Sequence, residues 1–218
     1  CSAARKKKTA RCLSVNVEKL VWHCAHCGWS GSLKFGDDKN SRPFAWKVKT
    51  YRKPEFIASP PVDALLSWFA MRKIPESVVR AASIRLQSVY FPQLEDSIDA
   101  IVFPYYEGAE VVNCKYRGMV EKVFRQEFDA KKILYGVNDI QPDQLVIVEG
   151  EIDKLSLAAA GIPSCVSVPD GAPPAGSKSS DQKFEYLANC EQVLTPLKRI
   201  VLAVDNDGPG KTLEQELA

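Results

Sequence analysis

Two carboxylates stand two residues apart in V-L-A-V-D-N-D-G-P-G-K-T, residues 201–212, and three kinds of site could explain them. A nucleotide-binding P-loop that ends in G-K-T needs glycine at position 205, where an aspartate would repel phosphate. An EF-hand calcium loop needs a side-chain oxygen at position 209, which is proline here, and it follows a helix. We therefore expect Asp205 and Asp207 at the carboxyl end of a buried strand, with both side chains pointing the same way. Such a pair is half of a site for a hard metal ion.

The other half of such a site is found in Q-L-V-I-V-E-G-E-I-D-K-L, residues 144–155. The continuous apolar run 145–148 is typical of a parallel strand that is buried on both faces. Helical spacing continues to Gly161 and a second strand is predicted at 165–168, which together make a βαβ unit. Glu149 follows the first strand, in the crevice where open α/β sheets bind ligands. We expect three carboxylates from two strands at one sheet edge.

Four of the seven cysteines lie within the first 30 residues. Cys24 and Cys27 form a C-x-x-C knuckle that presents two thiolates to one zinc ion, and the alternating pattern over 13–24 predicts a hairpin that leads into it. Cys1 is the third predicted ligand, and the fourth would precede it. The rival ligands are Cys12, His23 and His26. A redox role for the C-x-x-C is the alternative, although such motifs occur in a βαβ context.

Composition limits the classes to which the chain can belong. With 218 residues, 45% of them hydrophobic and 26% charged, it is long enough for one main domain with a hydrophobic core and a small additional unit. No apolar run approaches the roughly 18 residues of a membrane span, and no signal peptide is visible. The chain begins with Cys instead of Met, which we interpret as a piece of a longer protein. The remaining cysteines are predicted to be buried thiols of a protein in a reducing compartment: Cys114, Cys165 and Cys190.

Charge is unevenly distributed along the chain. Residues 1–60 hold 13 Lys/Arg and 4 Asp/Glu, whereas residues 61–218 hold 16 and 23. A basic front and an acidic remainder suggest phosphate contact at one end and cation binding at the other. Solvated faces of ordinary sign are the alternative interpretation.

Between the two candidate sites, the pattern predicts a linker and a mixed segment. Residues 36–61 are basic and end in a proline pair, which is typical of a linker, and their aromatic residues could also stack on a single strand. Residues 62–84 fit two short helices that are broken at Pro75. Residues 86–136 are strand-rich, with a hairpin that turns at Glu107-Gly108.

Three cations follow that hairpin. Lys115 and Arg117 are separated by one residue of a predicted strand, so both project to the same face, and Lys122 comes shortly after. Such a basic ridge is usually a solvated face. Its position ahead of the acidic site favours contact with phosphates.

These motifs together resemble a known family. E-G-E-I-D after a strand, a glycine-ended helix, and D-N-D-G-P-G after another strand resemble the Toprim catalytic fold of bacterial-type primases, type IA and II topoisomerases and some nucleases. With the zinc knuckle, V-N-C-K-Y-R, L-Y-G and V-S-V-P-D-G-A-P, the chain is similar over nearly its whole length to the primase half of Twinkle-type primase-helicases. There are two departures from that family, the missing first zinc cysteine and the missing ring-forming ATPase helicase.

The resemblance implies a fold and an activity. The fold is α/β, a Toprim catalytic domain with a Rossmann-like parallel sheet behind a small β zinc ribbon. The activity is that of a DNA primase, which makes short RNA primers on single-stranded DNA by two-metal nucleotidyl transfer. The alternatives are a Toprim nuclease or topoisomerase, and a non-catalytic relative that binds single-stranded DNA.

The resemblance also implies roles for particular residues. Mg²⁺ or Mn²⁺ would be held by three carboxylates, Glu149, Asp205 and Asp207. Two more acids, Glu151 and Asp153, would assist these three carboxylates without binding the metal ion themselves. Zn²⁺ would be held in the ribbon by Cys1, Cys24 and Cys27. Template or nucleotide phosphates would contact Lys115, Arg117 and Lys122.

The implied organisation is that of a multidomain replication protein. A truncated zinc ribbon would occupy 1–35, a basic linker 36–61 and the Toprim primase core 62–218, the last divided into 62–136 and 144–218. The implied partners are single-stranded DNA, ribonucleoside triphosphates, a replicative helicase domain and a DNA polymerase, with no membrane. The implied location is the mitochondrion, the plastid or both.

Overall fold

The computed structural model describes residues 13–16, 21–24, 30–32, 50–174 and 184–218. The chain divides into two compact units, 1–49 and 50–218. The boundary lies within the segment 36–61 that the composition predicts to be a linker.

The N-terminal unit contains a small antiparallel sheet. Its strands pair in the order β1 (Leu13–Asn16), β2 (Val21–Cys24) and β3 (Ser30–Ser32). The predicted hairpin is confirmed, since β1 and β2 pair from Leu13 and Cys24 onwards. β3 was not predicted because Ser-Gly-Ser has no apolar alternation. A Cβ atom on Gly31 would lie 2.2 Å from the Trp22 ring, so only glycine lets β3 pass this indole.

The C-terminal unit begins without regular structure and continues with two helices. Residues 50–62 form neither helix nor strand, but the Arg52 amide donates to the Asp129 carbonyl at 2.9 Å, which attaches this stretch to the rest of the unit. The two predicted helices are confirmed as α1 (Asp63–Ala70) and α2 (Glu76–Ala81). α1 ends at Ala70, Lys73 adopts the left-handed conformation with φ of 61° in the connection, and the extended backbone of Pro75 precedes α2.

A four-stranded antiparallel sheet follows the helices, in the order β4-β5-β6-β7. Its strands are β4 (Arg85–Phe91), β5 (Asp96–Glu107), β6 (Glu110–Gly118) and β7 (Phe124–Gln126). The predicted hairpin joins β5 to β6, and Gly108 adopts the left-handed conformation that the turn requires, with φ of 61°.

The long strand β5 is covered on both faces. Ile101, Phe103 and Tyr105 belong to the main hydrophobic core, whereas Ala100 and Val102 belong to a second, smaller cluster. Because successive side chains of a strand point to opposite faces, this alternation shows that β5 separates two packed layers.

The second sheet of the unit is parallel and has three strands, in the order β10-β8-β9. The strands are β8 (Gln144–Val148), β9 (Cys165–Ser167) and β10 (Arg199–Leu202). The predicted βαβ unit is confirmed, because α3 (Glu151–Ala159) connects the parallel pair β8 and β9. Four shorter or later elements complete the described chain: a 3₁₀ turn (Val137–Asp139), α4 (Glu185–Asn189), α5 (Glu191–Leu194) and α6 (Gly208–Leu217).

One expectation about this sheet is wrong. The strand that precedes Asp205 was predicted to be buried, yet β10 is half-exposed and Ile200 keeps 46% of its surface accessible. β10 lies at the edge of the sheet, whereas β8 lies at its centre with four consecutive buried residues, 145–148. The apolar run R-I-V-L-A-V indicates a strand, but only the neighbours of a strand decide how much of it is buried.

Candidate functional site

The carboxyl ends of β8 and β10 meet at one edge of the parallel sheet. β8 continues through α3 to β9 on one side, while β10 joins β8 on the other side, so the chain changes direction between β8 and β10. Open α/β sheets bind ligands at such a switch point. Glu149 and Asp205 meet there, since the Asp205 amide donates to Glu149 Oε1 at 2.8 Å. The predicted meeting of the two chain segments is confirmed.

Asp207 begins a helix and does not extend a strand. β10 ends at Leu202 and α6 begins at Gly208, so Asp205 and Asp207 both lie in the intervening turn. Asp207 Oδ1 accepts a hydrogen bond from the Gly210 amide at 2.8 Å, which is the usual interaction of an aspartate at a helix start. The expectation that both carboxylates share one face of an extended strand is therefore wrong, because β10 stops at Leu202 and Asp207 caps α6.

Gly210 allows the start of α6 to approach the strand ends. A Cβ atom there would lie 2.1 Å from the Asp205 carbonyl oxygen and 2.6 Å from Glu149 Oε1, closer than real atoms approach. A residue with a side chain would force Glu149 and the Asp205 turn apart. The glycine of D-N-D-G-P-G is thus required by packing against the acidic residues themselves.

Four carboxylates share one electrostatic field at this edge. Burial raises the pKa of Glu149, and the charges of Asp205, Asp207 and Asp153 raise it further, against the opposing hydrogen bond from the Asp205 amide. Partial desolvation of the carboxyl group and then the Asp205 charge likewise raise the pKa of Asp153, although the residue as a whole is exposed. Within the described ranges, none of the four carboxylates forms an ion pair with a lysine or arginine. The edge therefore carries negative charge that the described protein does not neutralise.

The carboxylates suit a hard cation in chemistry, but they do not converge on one point. Across the part of the chain that is described, no three His, Cys, Asp or Glu side chains are grouped closely enough to hold a metal ion. One oxygen of Glu149 and one of Asp207 are each bonded to a backbone amide. Oxygen donors and unneutralised charge are what Mg²⁺ and Mn²⁺ prefer, so the donor set fits these ions.

Glu151 is bonded to the antiparallel sheet. It is 4% exposed, and its Oε1 accepts hydrogen bonds from Lys115 Nζ at 2.9 Å and from the Tyr105 hydroxyl. Tyr105 was not identified from the sequence, because a tyrosine in an apolar strand gives no sign that its hydroxyl has a charged partner. Asp153, two residues further along α3, is exposed.

The predicted basic residues are found in two different environments. Lys115 is buried and paired with Glu151, whereas Lys122 is exposed beyond the end of β6. Lys115 Nζ and Arg117 Cζ lie 5.6 and 6.0 Å from the centroid of the Phe124 ring, as expected for two side chains on one face of a strand. The solvated face that was the alternative interpretation therefore does not describe Lys115.

A second arginine joins this cluster. Arg72 Cζ lies 3.4 Å and Arg117 Cζ 4.8 Å from the centroid of the Trp68 indole. Burial and then the Arg72 charge lower the pKa of Arg117, which shows that the two guanidinium groups repel each other. Neither forms an ion pair within the described ranges. Sequence reasoning missed Arg72, because its proximity to Arg117 depends on how α1 packs against β6. We call Arg72, Trp68, Arg117 and Phe124 the arginine–aromatic cluster.

The described cysteines fall into two groups. Cys114, Cys165 and Cys190 are buried, as predicted, and burial raises the pKa of Cys114 to about 12 and that of Cys165 to about 11, so they remain thiols. Cys24 is also buried, at the end of β2. The other members of the predicted zinc site lie outside the described residues: Cys1 and Cys27, with the rival ligands Cys12 and His26. The zinc site therefore stays a prediction.

Comparison with known proteins identifies relatives. Residues 143–218 match the Toprim domain family. The chain is 39% identical over 206 residues to the primase homolog protein of Arabidopsis thaliana, covering 90% of this chain and 59% of that protein. It is 37% identical over 223 residues to the chloroplastic/mitochondrial Twinkle homolog protein of the same plant, covering 98% of this chain and 30% of that protein. The chain thus spans less than two thirds of each relative.

A solved structure has the same fold. The primase fragment of the bacteriophage T7 primase-helicase superposes with a TM-score of 0.57 at 20% sequence identity, covering 92% of this chain and 77% of that one.

None of the helices in the described ranges has the length and apolar character that crossing a bilayer requires.

Proposed function

We propose that this chain is a DNA primase. The premise is that it carries a Toprim domain and is a relative of the plant primase and Twinkle homologues. It would synthesise short RNA primers on single-stranded DNA, as the primase part of a replicative primase-helicase. The observation that carries the proposal is the unneutralised negative charge of four carboxylates at the switch point of the parallel sheet, where the Asp205 amide donates a hydrogen bond to Glu149.

Metal ions would be held at this edge by Glu149, Asp205 and Asp207. Toprim domains typically bind Mg²⁺, and such ions make a 3′-hydroxyl nucleophilic and neutralise a pyrophosphate leaving group. The carboxylate oxygens that are not hydrogen-bonded to backbone amides would be the first to bind the metal ions. Asp153 would add its charge to the field. The hydrogen bonds that Glu149 and Asp207 make with Asp205 and Gly210 hold the loop in place before any ligand arrives.

Phosphates would bind at the arginine–aromatic cluster. Two guanidinium groups without a carboxylate partner in the described ranges attract anions, and the exposed ring of Phe124 gives a planar surface on which a base can stack, whereas Trp68 is buried and holds the two guanidinium groups in place. Lys122 is exposed nearby in sequence and carries a further positive charge. This combination of cations and aromatic rings is typical of proteins that bind single strands irrespective of sequence.

We propose a zinc ribbon with Cys1, Cys24 and Cys27 as ligands, which would read the template. The partners would be a helicase domain and a DNA polymerase, and the location the mitochondrion or plastid, as the name of the Twinkle relative suggests. For the ribbon, metal analysis of Cys24→Ser and Cys27→Ser should show loss of zinc, while Cys12→Ser keeps it. Zinc loss with Cys12→Ser would reassign that residue as a ligand.

The test of the proposal is an assay for short ribonucleotide products on single-stranded DNA with Mg²⁺ and ribonucleoside triphosphates. The Asp205→Asn/Asp207→Asn double variant should lose synthesis by at least about 10³-fold, since it removes charge and keeps volume. The matched control is Asp143→Asn, an exposed aspartate of the same domain that pairs with Lys198. Magnesium-dependent synthesis by the double variant would show that the assignment is wrong.

A second candidate function is supported by a specific observation. Because no three ligating groups converge in the described chain, the protein could bind single-stranded DNA without synthesising primers. In that case the wild-type chain retains DNA and makes no ribonucleotide product at any Mg²⁺ or Mn²⁺ concentration. Shortened DNA in the same assay would instead indicate a nuclease.

A further inference from the structure

Glu151 lies in the middle of the acidic motif but serves a different part of the molecule. It stands between Glu149 and Asp153 in sequence, yet its carboxylate is held by Tyr105 and Lys115. Their exposures are 4% for Glu151, 0% for Tyr105 and 7% for Lys115. The three side chains come from α3, β5 and β6, so they connect the parallel sheet to the antiparallel sheet.

The arrangement satisfies the physical requirements of a buried carboxylate. Burying such a charge without partners is strongly unfavourable, and here one cation neutralises it while one hydroxyl adds a second hydrogen bond. Burial, followed by the charge of Glu151, raises the pKa of Tyr105 well above its usual range. Tyr105 therefore keeps its proton and acts as a donor to Glu151 throughout the physiological pH range.

Lys115 is held at the margin of the arginine–aromatic cluster. Its ammonium lies 5.6 Å from the centroid of the Phe124 ring, and Phe124 keeps 40% of its surface exposed to solvent. An ammonium has three donors, and Glu151 is its one hydrogen-bond partner among the described residues. Two donors are left for an anion. A lysine that is already fixed loses less side-chain entropy on binding than a free surface lysine does.

We infer that Tyr105 is a positioning residue, which fixes Glu151 and through it presents Lys115 to the phosphates of an incoming nucleotide. Glu151 then belongs to the phosphate-binding side of the site, not to the metal side. The identity of the ligand rests on the proposed function. The geometry of the three side chains is independent of the proposed function.

The chain offers a matched pair of variants. Tyr105→Phe removes a buried hydroxyl that donates to a carboxylate. Tyr116→Phe removes a partly buried hydroxyl on the neighbouring strand β6, which also donates to a carboxylate, that of Glu127 at 2.9 Å. Both changes keep the aromatic ring. A general loss of sheet stability would affect both variants, whereas loss of Lys115 positioning would affect only the first.

The first measurement is calorimetric titration of the full chain with ATP and Mg²⁺. Loss of a hydrogen bond to a charged group is expected to weaken ATP binding about tenfold in Tyr105→Phe, while Tyr116→Phe stays within about twofold of wild type. In a Lys115→Met background, Tyr105→Phe should have little additional effect, because it acts through Lys115. Equal losses in the two tyrosine variants, or an undiminished tenfold loss in the Lys115→Met background, would overturn the inference.

The second measurement does not depend on nucleotide binding or on a Lys115 variant that folds. Competitive amine labelling followed by mass spectrometry reports how available each lysine is. Lys115 should react at least about tenfold more slowly than exposed Lys122 in the wild type, and several-fold faster in Tyr105→Phe than in Tyr116→Phe. Equal Lys115 reactivity in the two variants contradicts the positioning role. A wild-type chain that binds no ATP but shows this labelling pattern would contradict only the proposed function.

Discussion

The edge of the parallel sheet and the interior of the antiparallel sheet treat charge in opposite ways. At the edge, four carboxylates lie in one field without an ion pair among the described residues. In the interior, Lys115 and Glu151 form a buried pair with Tyr105 as an additional donor. Glu149 and Glu151 are two residues apart, and they belong to these two different regions.

The difference separates charges that need a ligand to neutralise them from charges that the folded chain neutralises by itself. Unneutralised charge destabilises a protein by itself and is explained by a ligand that supplies the opposite charge. A neutralised, hydrogen-bonded pair is part of the packed interior, and removing one partner leaves the other unpaired. Substitutions in the two regions are therefore expected to change stability with opposite signs.

The largest effect on stability is expected in the interior. Lys115→Met leaves Glu151 buried without its cation and should lower the free energy of unfolding by about 3–5 kcal/mol. Urea unfolding measures this. The matched control is Lys122→Met, a change at an exposed lysine that should stay within about 0.5 kcal/mol of wild type. Equal stability of the two variants would mean that the buried pair contributes nothing.

A smaller loss of stability is expected from a substitution at the start of α6, where this helix approaches the acidic edge. Gly210→Ala places a methyl group 2.1 Å from the Asp205 carbonyl oxygen, so the backbone must move, at a cost of about 1–3 kcal/mol. The same movement separates Glu149 from Asp205 and should reduce metal-dependent synthesis. Gly108→Ala, at a left-handed turn with nothing near its Cβ, is the control that alters stability without affecting the acidic edge. Full activity of Gly210→Ala would show that the close approach is unnecessary.

The arginine–aromatic cluster should change affinity more than stability. The Arg72→Ala/Arg117→Ala variant should weaken binding to single strands of every sequence alike, because backbone contacts carry no base information. Each lost phosphate contact lowers the magnitude of the log-log salt slope by about 0.7, so two should lower it by about 1.4. Fluorescence titrations with oligonucleotides at several salt concentrations measure the slope. An unchanged slope would show that these arginines do not contact phosphates and have only a structural role.

The smallest effect is expected from neutralising Glu149, and it should be stabilising. Because burial and neighbouring charges raise its pKa, the folded state favours the protonated form, and stability from this group is lost as pH rises through its folded pKa. Glu149→Gln mimics that form and should gain up to about 0.5 kcal/mol at pH 8 in EDTA. The gain should vanish below the ordinary carboxyl pKa. A less stable Gln variant at pH 8 would show that the Asp205 amide bond dominates.

Much of the fold follows from local patterns in the sequence. The apolar run 145–148 and the helical spacing after it predicted β8 and α3, and the turn at Glu107-Gly108 predicted the β5–β6 hairpin. The meeting of Glu149 with Asp205 was predictable too, because parallel strands end at a common edge. The capping role of Asp207 was not predicted, since the extended and the capping interpretations of D-N-D-G differ only in where the strand stops.

The sequence by itself determined which residue types stand at the ends of which strands, because periodicity and turn residues act over a few neighbouring positions. Only the tertiary structure decided which charges are neutralised. Glu149 and Glu151 have the same chemistry and adjoin the same glycine. One remains at an open edge because β10 and α6 bring further acids to it, and the other is buried because β5 and β6 bring it a hydroxyl and an ammonium. Those partners are 36 to 56 residues away in sequence, beyond the reach of any local pattern.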